Sequence, residues 1–297
     1  MKRTTTRLIT LIISLLILVA IFFIKDKLTL FFASKKTSQL FPSQKVGSID
    51  ELRLKNANAE TRIYLRNNQW FLIKDGMEYK ANEELVNQIL NSIFSLKKEE
   101  VVSRNKNHHS VLGIGQQKII FRLGGKNYTL FIGNSYGIDK NYLRLNDEDD
   151  VFVGAGFNTV FSTQEYRDLA VHFINDETAV TAITIDDGNQ KTTLEKRSTD
   201  WYSGKNKISR EKVDFFLNDL KTLQAKNIIK ENVLETGYYP NALNIFVKEN
   251  NQEKKGEFFI KDQDSYYLKV QSSPFLFEIA PASFESLKKT ETDFIGQ

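Results

Sequence analysis

Two tryptophans, Trp70 and Trp201, stand 131 residues apart and occupy the same place in two similar stretches of chain. A strand is expected near Ile49–Leu54, then Arg62–Arg66, a turn at Asn67-Asn68, and Trp70-Phe71-Leu72. The second stretch repeats this as Ala182–Ile185, a turn at Asp187-Gly188-Asn189, Thr192–Lys196 and Trp201-Tyr202. Asn, Asp and Gly between alternating segments mark hairpins, because these residues tolerate the left-handed backbone of tight turns. A chain that says the same thing twice folds as two like units, each of ordinary domain size.

Each tryptophan is followed by an amphipathic helix. Asn82 can cap the first, and Leu85, Val86, Ile89, Leu90, Ile93 and Phe94 recur at three-to-four spacing. Ser209 can cap the second, where Val213, Phe216, Leu217, Leu220 and Leu223 do the same. More hairpins follow. In the first unit these are Lys118–Leu123, a turn at Gly124-Gly125, Tyr128–Ile132, Asn141–Leu145 and Val151–Val153. In the second they are Ala242–Val247, a loop at Glu249–Lys255, Glu257–Ile260, Tyr266–Val270 and Phe275–Ile279. Tyr142-Leu143-Arg144 corresponds to Tyr267-Leu268-Lys269. A short helix is expected to close each unit: one opened by a Ser162-x-x-Glu165 capping box, the other over Pro281–Lys289.

Ahead of this body, Leu8 to Ile24 contains no charged side chain. At helical rise it covers about 26 Å, close to the roughly 30 Å of a hydrocarbon core. It ends in bulky apolar residues and Lys25-Asp26-Lys27, not in the small-residue site of a cleaved signal, so an uncleaved anchor is expected. Lys2, Arg3 and Arg7 precede it and place the N-terminus in the cytoplasm. With Lys25, Asp26 and Lys27 they account for the chain's whole formal net charge of +4. The rest is balanced and gives no basic surface for nucleic acid. Cysteine is absent, which excludes thiol catalysis, disulfides and cysteine metal sites.

The order of the features resembles a bacterial family, domain-of-unknown-function family 4340. The words that carry it are the anchor, Glu51-Leu52-x-Leu54, the Trp70 strand, the helix with Leu90 and Leu96, and Val101-Val102. Leu112-Gly113-Ile114, Leu130-x-Ile132-Gly133, Tyr142-x-Arg144, Val151-Phe152 and Arg167-Asp168-Leu169 follow. The sequence departs from the family at Leu112, where an aromatic is more usual, and at Thr236-Gly237-Tyr238, which is looser still. Members are membrane-anchored and often encoded beside ABC transporters of the gliding-motility type. The resemblance implies a periplasmic accessory protein and supplies no catalytic residues.

The chemistry-bearing residues are read individually. His108-His109 lacks a third nearby ligand for a metal and is read as a solvated loop. Gly113-x-Gly115 and Gly124-Gly125-Lys126 lack the Walker spacing and sit between strands. Asp147-Glu148-Asp149-Asp150 lacks the alternating ligands of a calcium loop and is read as a hairpin tip. Arg167-Asp168 is read as a salt bridge on a helix surface or between units. Trp70 and Trp201 are expected to anchor the two cores. Tyr238, Tyr239, Tyr266 and Tyr267 are the candidate ligand- or partner-binding residues, as a groove for a sugar or peptide.

The expected architecture is α+β. An anchor over 1–34 is a single-pass transmembrane helix. A linker over 35–47 leads to tandem repeats over 48–175 and 176–297, each of antiparallel β hairpins with one amphipathic helix. The expected function is non-enzymatic: an extracytoplasmic accessory or scaffold protein of an ABC-type transport or gliding-motility-like complex in the bacterial inner membrane. No cofactor and no metal are expected. The expected partners are the membrane, ABC transporter subunits or other envelope proteins, and no nucleic acid. The alternative is a periplasmic binding module for envelope glycans or peptides.

Overall fold

The structure, a computed structural model, describes residues 39–41, 49–57, 59–98, 100–161, 165–230, 241–260, 264, 266–271 and 273–295. These form two compact units that divide between Asp168 and Leu169. The expected anchor at residues 8–24 lies outside the described residues. Among those described, no helix is long and apolar enough to cross a membrane.

In the first unit the strands are β1 (Glu51–Lys55), β2 (Glu60–Arg66), β3 (Gln69–Lys74) and β4 (Met77–Lys80). Helix α1 (Glu83–Ser95) follows, then β5 (Val101–Ser103), β6 (Gln117–Leu123), β7 (Lys126–Tyr136), β8 (Lys140–Leu145) and β9 (Val151–Ala155). They build one nine-stranded sheet in the order β4-β3-β2-β1-β6-β7-β8-β9-β5. Every pairing is antiparallel.

The second unit holds β10 (Val180–Asp186), β11 (Lys191–Arg197), β12 (Asp200–Ser203), β13 (Asn206–Ile208) and α2 (Arg210–Lys221). After these come β14 (Ala225–Lys230), β15 (Leu243–Glu249), β16 (Gln252–Ile260), β17 (Tyr266–Val270) and β18 (Phe275–Ile279). Two short helices, α3 (Pro281–Leu287) and α4 (Glu291–Phe294), end it. Its sheet runs β13-β12-β11-β10-β15-β16-β17-β18-β14. Adding nine to each strand number of the first sheet reproduces the second, so strand order and the helical crossover to the far edge occur twice.

This corrects the expected α+β class. The described chain is mainly β, with two nine-stranded antiparallel sheets and four helices, two of them a single turn or two long. Beyond the expected hairpins, the sheets carry the edge strands β4, β5, β13 and β14. In place of the expected loop, Glu249–Lys255 is a continuous hairpin turning at Asn250-Asn251. Both asparagines hold positive φ, 51° and 62°, the geometry of a type I′ turn. The same turn chemistry closes β2–β3 at Asn67-Asn68 and β6–β7 at Gly124-Gly125. The short helix expected from Ser162 is not continued at Glu165, and Arg167 makes an antiparallel bridge to Ala81 instead. Ser162 itself lies outside the described residues.

Both caps are formed. Asn82 Oδ1 accepts from the Leu85 N–H at 3.1 Å, and Ser209 Oγ accepts from the Lys212 N–H at 3.5 Å. The helices bury Val86, Ile89, Leu90 and Ile93 in α1, and Val213, Phe216, Leu217 and Leu220 in α2. These sets coincide when the two caps are aligned. Each helix meets the tryptophan strand of its own sheet, where Trp70 and Trp201 are 7% and 2% exposed. Burial of such aromatics dominates the apolar driving force for each core.

Candidate functional site

Strand β8 alternates with its odd-numbered residues on the core face, where Asn141 precedes Leu143 and Leu145. Leu143 is fully buried and Asn141 is 5% exposed, so an amide takes a position that the pattern reserves for an apolar side chain. A β-bulge lies opposite. The β7–β8 register runs Ile132↔Leu143 and then Ser135↔Asn141, which leaves one extra residue in β7 at Gly133-Asn134. Bulges of this kind re-aim side chains beside functional sites.

The loop before β6 is pressed onto this bulge. The Asn134 N–H donates to Leu112 O at 2.9 Å, and Asn134 Nδ2 donates to Val111 O at 3.2 Å. A Cβ at Gly133 would lie 2.3 Å from Leu112 O, and one at Gly113 would lie 2.3 Å from Asn134 Oδ1. Gly113 also holds φ at 73°. The two glycines therefore permit the close approach of loop and strand.

Between loop, bulge and the segment after β9 lies a cavity of about 340 Å³. Its polar lining includes Gln116, Gln117, Asn134, Ser135, Asn141 and Asn158. Asn141 Nδ2 donates to Gly133 O at 3.3 Å and Asn158 Nδ2 donates to Ile138 O at 2.8 Å. The remaining oxygens, Asn141 Oδ1 and Asn158 Oδ1, are buried without a hydrogen-bond partner among the described residues.

The second unit fills the equivalent place. Its β16–β17 register runs without a shift from Gly256↔Val270 to Ile260↔Tyr266. Leu268 and Val270 correspond to Leu143 and Leu145, so Tyr266 corresponds to Asn141. Its ring packs on Phe284 of α3 at 4.8 Å between centroids. Tyr267 is 9% exposed and, as the next residue in the strand, points to the opposite face from Tyr266. Tyr238 and Tyr239 lie outside the described residues.

A second concavity belongs to the second unit alone. A groove of about 770 Å³ runs beside α2, lined among others by Glu177, Trp201, Arg210, Asp214, Phe215 and Asn218. Phe215 is 63% exposed, on the side of α2 away from the buried set. When the helix caps are aligned, the residue in its place on α1 is Gln88, which is exposed and polar. Lys196 crosses the groove wall, donating to Thr178 O at 3.3 Å with its ammonium 6.0 Å from the Trp201 ring centre.

The remaining candidates resolve into local structure. His108 Nδ1 lies 3.1 Å from Ser103 Oγ, and His109 Nε2 lies 3.1 Å from Asp149 O. The acidic stretch is the β8–β9 turn, where Asp150 pairs with Lys98 at 2.9 Å and Asp149 with Lys106 at 3.2 Å. No group of three metal-ligating side chains occurs among the described residues. Arg167 is 6% exposed and grips Glu165 with two hydrogen bonds, Nε–Oε1 at 2.8 Å and Nη2–Oε2 at 2.6 Å. Neither Arg167 nor Asp168 lies on a helix, which corrects the helix-surface setting. Burial would raise the Glu165 carboxyl, but Arg167 outweighs it and holds the group below the usual carboxylate range. Arg144 of Tyr142-x-Arg144 stacks its guanidinium 3.9 Å from the Phe131 ring centre, and burial pulls its pKa down.

The bulge, the pressed loop and the Asn141 position are not visible as motifs of any familiar chemistry. Two of the family words, Leu112-Gly113-Ile114 and Leu130-x-Ile132-Gly133, supply Gly113, Ile132 and Gly133 to the cavity wall, whereas Tyr142 and Arg144 lie on the face of β8 opposite Asn141. No curated protein and no solved structure matches the chain. A family model does: residues 70–240, from β3 of the first unit into the second, match the family described as Domain of unknown function (DUF4340). That match spans more than half of the sequence, and the chain belongs to the DUF4340 family.

Proposed function

We propose that this protein is a non-enzymatic accessory or scaffold subunit, attached to the bacterial inner membrane through the apolar run at residues 8–24. Its body faces outward and works beside an ABC-type transporter. The observation that carries this reading is Phe215. A phenylalanine 63% exposed beside a groove of about 770 Å³ gains stability when a partner covers it. Its equivalent Gln88 has no such need. Acidic Glu177, Glu211 and Asp214 alternate with Lys196 and Arg210 around the groove, which suits a partner segment with an apolar anchor and mixed charge at its edges.

The transporter itself is suggested by the family resemblance and the charge-flanked anchor, which together favour a protein held against a membrane partner. The test is gentle detergent extraction with crosslinking, followed by identification of what co-purifies. An ABC permease or ATPase is expected with the native chain and is lost with Phe215→Asp. A chain that purifies alone overturns the reading.

A further inference from the structure

We infer that the outer face of the first unit's sheet docks on the headgroups of anionic phospholipids. The inference rests on the proposed membrane attachment, but not on the transporter or on the groove beside α2.

The balanced charge of the body is not evenly spread. In the first unit, alternate apolar residues such as Leu52, Ile63, Ile119 and Leu143 are buried in the core. The positions between them face away from it, and there β1, β2, β6 and β8 present Arg53, Lys55, Arg62, Lys118, Arg122 and Arg144. The side chains of Arg53, Lys55, Arg62 and Arg122 are each between 47% and 60% exposed. Carboxylates are fewer. Glu51 serves both Arg53 and Arg62, Glu60 pairs with Lys55 and Asp50 with Arg122. Lys118 and Arg144 flank the Phe131 ring at 5.7 and 3.9 Å from its centre, and neither has a carboxylate within ion-pair distance among the described residues. The acidic turn after β8 is itself engaged, Asp149 by Lys106 and Asp150 by Lys98. The second unit shows that the fold does not require such a face. Aligned on the tryptophan strands and followed through the ladders, it has Thr184, Asp186, Thr193 and Asn244 in place of Arg53, Lys55, Arg62 and Lys118, and Glu257 in place of Phe131.

Three observations select a phospholipid surface. The cations spread from β2 through β1, β6 and β7 to β8, about 19 Å across the strands, which suits an array of phosphates better than one small anion. The aromatic rings on this face are already covered: the Arg66 and Arg144 guanidinium groups sit 4.4 and 3.9 Å from the ring centres of Phe71 and Phe131. A nucleic-acid base or a sugar would need those ring faces to stack on, whereas phosphate oxygens need only the guanidinium and ammonium donors. The third observation is the tether. The Leu40 N–H donates to Leu96 O at 2.9 Å, and the buried Phe41 ring meets Phe121 and Tyr128 edge-on at 5.7 and 5.2 Å. The chain that leads from the apolar run is therefore fastened to the first unit at residues 39–41. From Ile24 to Gln39 it can reach at most about 50 Å, which keeps this unit beside the bilayer and is long enough to turn its outer face toward the headgroups. Each Lys or Arg brought to an anionic lipid surface strengthens such docking.

The experiment places the full chain in vesicles of phosphatidylcholine, with and without phosphatidylglycerol, that carry a headgroup-labelled quencher lipid. The chain has no cysteine, so Ile73→Cys, at an exposed position of the same face, takes a single fluorophore. Thr193→Cys places one on the corresponding face of the second unit. Quenching at position 73 is expected with phosphatidylglycerol and is lost in molar salt, while position 193 shows neither effect. Combining Arg53→Gln, Lys118→Gln and Arg122→Gln should lower the ratio of docked to undocked chains about fivefold per charge removed. The proposal is overturned by quenching at position 73 that ignores phosphatidylglycerol, by equal quenching at position 193, or by undiminished quenching in the triple variant. It is overturned too if the chain in neutral vesicles binds soluble polyglutamate and does not respond to phosphatidylglycerol, which would make the occupant an acidic peptide. A chain that does not float with phosphatidylcholine vesicles overturns the membrane attachment and this inference with it. One that floats without the expected quenching overturns this inference alone.

Discussion

Asn141 and Tyr266 hold the same position in two sheets of the same strand order, one buried amide and one tyrosine packed on Phe284. The exchange divides the duplicated chain into a unit with an open polar cavity and a unit with that place filled. A second exchange runs the other way, Gln88 on α1 against the exposed Phe215 on α2. Duplication thus supplied one scaffold twice, and the copies present different surfaces.

The close approach at Gly133 sets the first prediction. Gly133→Ala drives a Cβ against Leu112 O, a backbone atom that cannot step aside, from a starting distance of 2.3 Å. The expected cost is about 2–3 kcal/mol. Thermal unfolding of the purified chain should show a lower Tm. Gly76→Ala has nothing within 4 Å and positive φ alone to contend with, so it should cost less.

Two carboxylates, Glu249 buried and Glu165 half-buried, are expected to make the protein acid-sensitive. Glu249, 3% exposed, accepts from the N–H groups of Asn175 and Asp176 at 3.0 and 2.6 Å and pairs with Lys254. Burial would raise its carboxyl, but Lys254 and those N–H groups hold it below the usual carboxylate range, as Arg167 does for Glu165. A depressed pKa adds stability that is present above the unfolded-state value and lost as pH falls through the folded one. Denaturation midpoints should drop below about pH 5. Glu249→Gln should flatten part of that drop and cost about 2 kcal/mol at neutral pH.

At the alkaline end the group to watch is Tyr166. It is 6% exposed, its hydroxyl donates to Val160 O, and burial pushes its pKa up to about 12. A raised pKa adds stability that is complete below the unfolded value, near 10, and lost as pH rises toward the folded one. Unfolding should ease between about pH 10 and 12. Tyr166→Phe should remove this contribution to the alkaline slope, measured by denaturant titration at successive pH values.

The two caps can be tested in parallel. Asn82→Ala and Ser209→Ala each remove a side-chain acceptor at a helix start and should each cost about 1 kcal/mol. The effects should add, since the caps belong to different units, and a double variant checks this.

Much of the fold could be read from the sequence because its turns are chemically explicit. Asn67-Asn68 and Gly124-Gly125 pin their hairpins, and the three-to-four spacing of Val86, Ile89, Leu90 and Ile93 fixes α1 with its buried face. The edge strands were not legible. Asn206–Ile208 is three residues long and carries no alternation to detect, and β5 pairs across a register shift. Gln252–Lys255 hid in a polar run because its first residues are exposed or half-buried even in the sheet. These omissions made two sheets of nine strands look like balanced α+β units. The site was hidden for a related reason. Asn141 falls on the core face by the alternation of β8, but a polar side chain there gives no apolar signal, and the opposing bulge at Gly133-Asn134 leaves no mark in hydrophobic periodicity.

On the proposed function, a membrane partner covers Phe215. The most direct measurement is photo-crosslinking in intact cells, with a benzophenone amino acid in place of Phe215 and, as control, of Gln88. A specific crosslink from position 215 to an ABC transporter subunit, and none from position 88, is expected. Equal labelling at both positions, or no crosslinked membrane protein at 215, would contradict it.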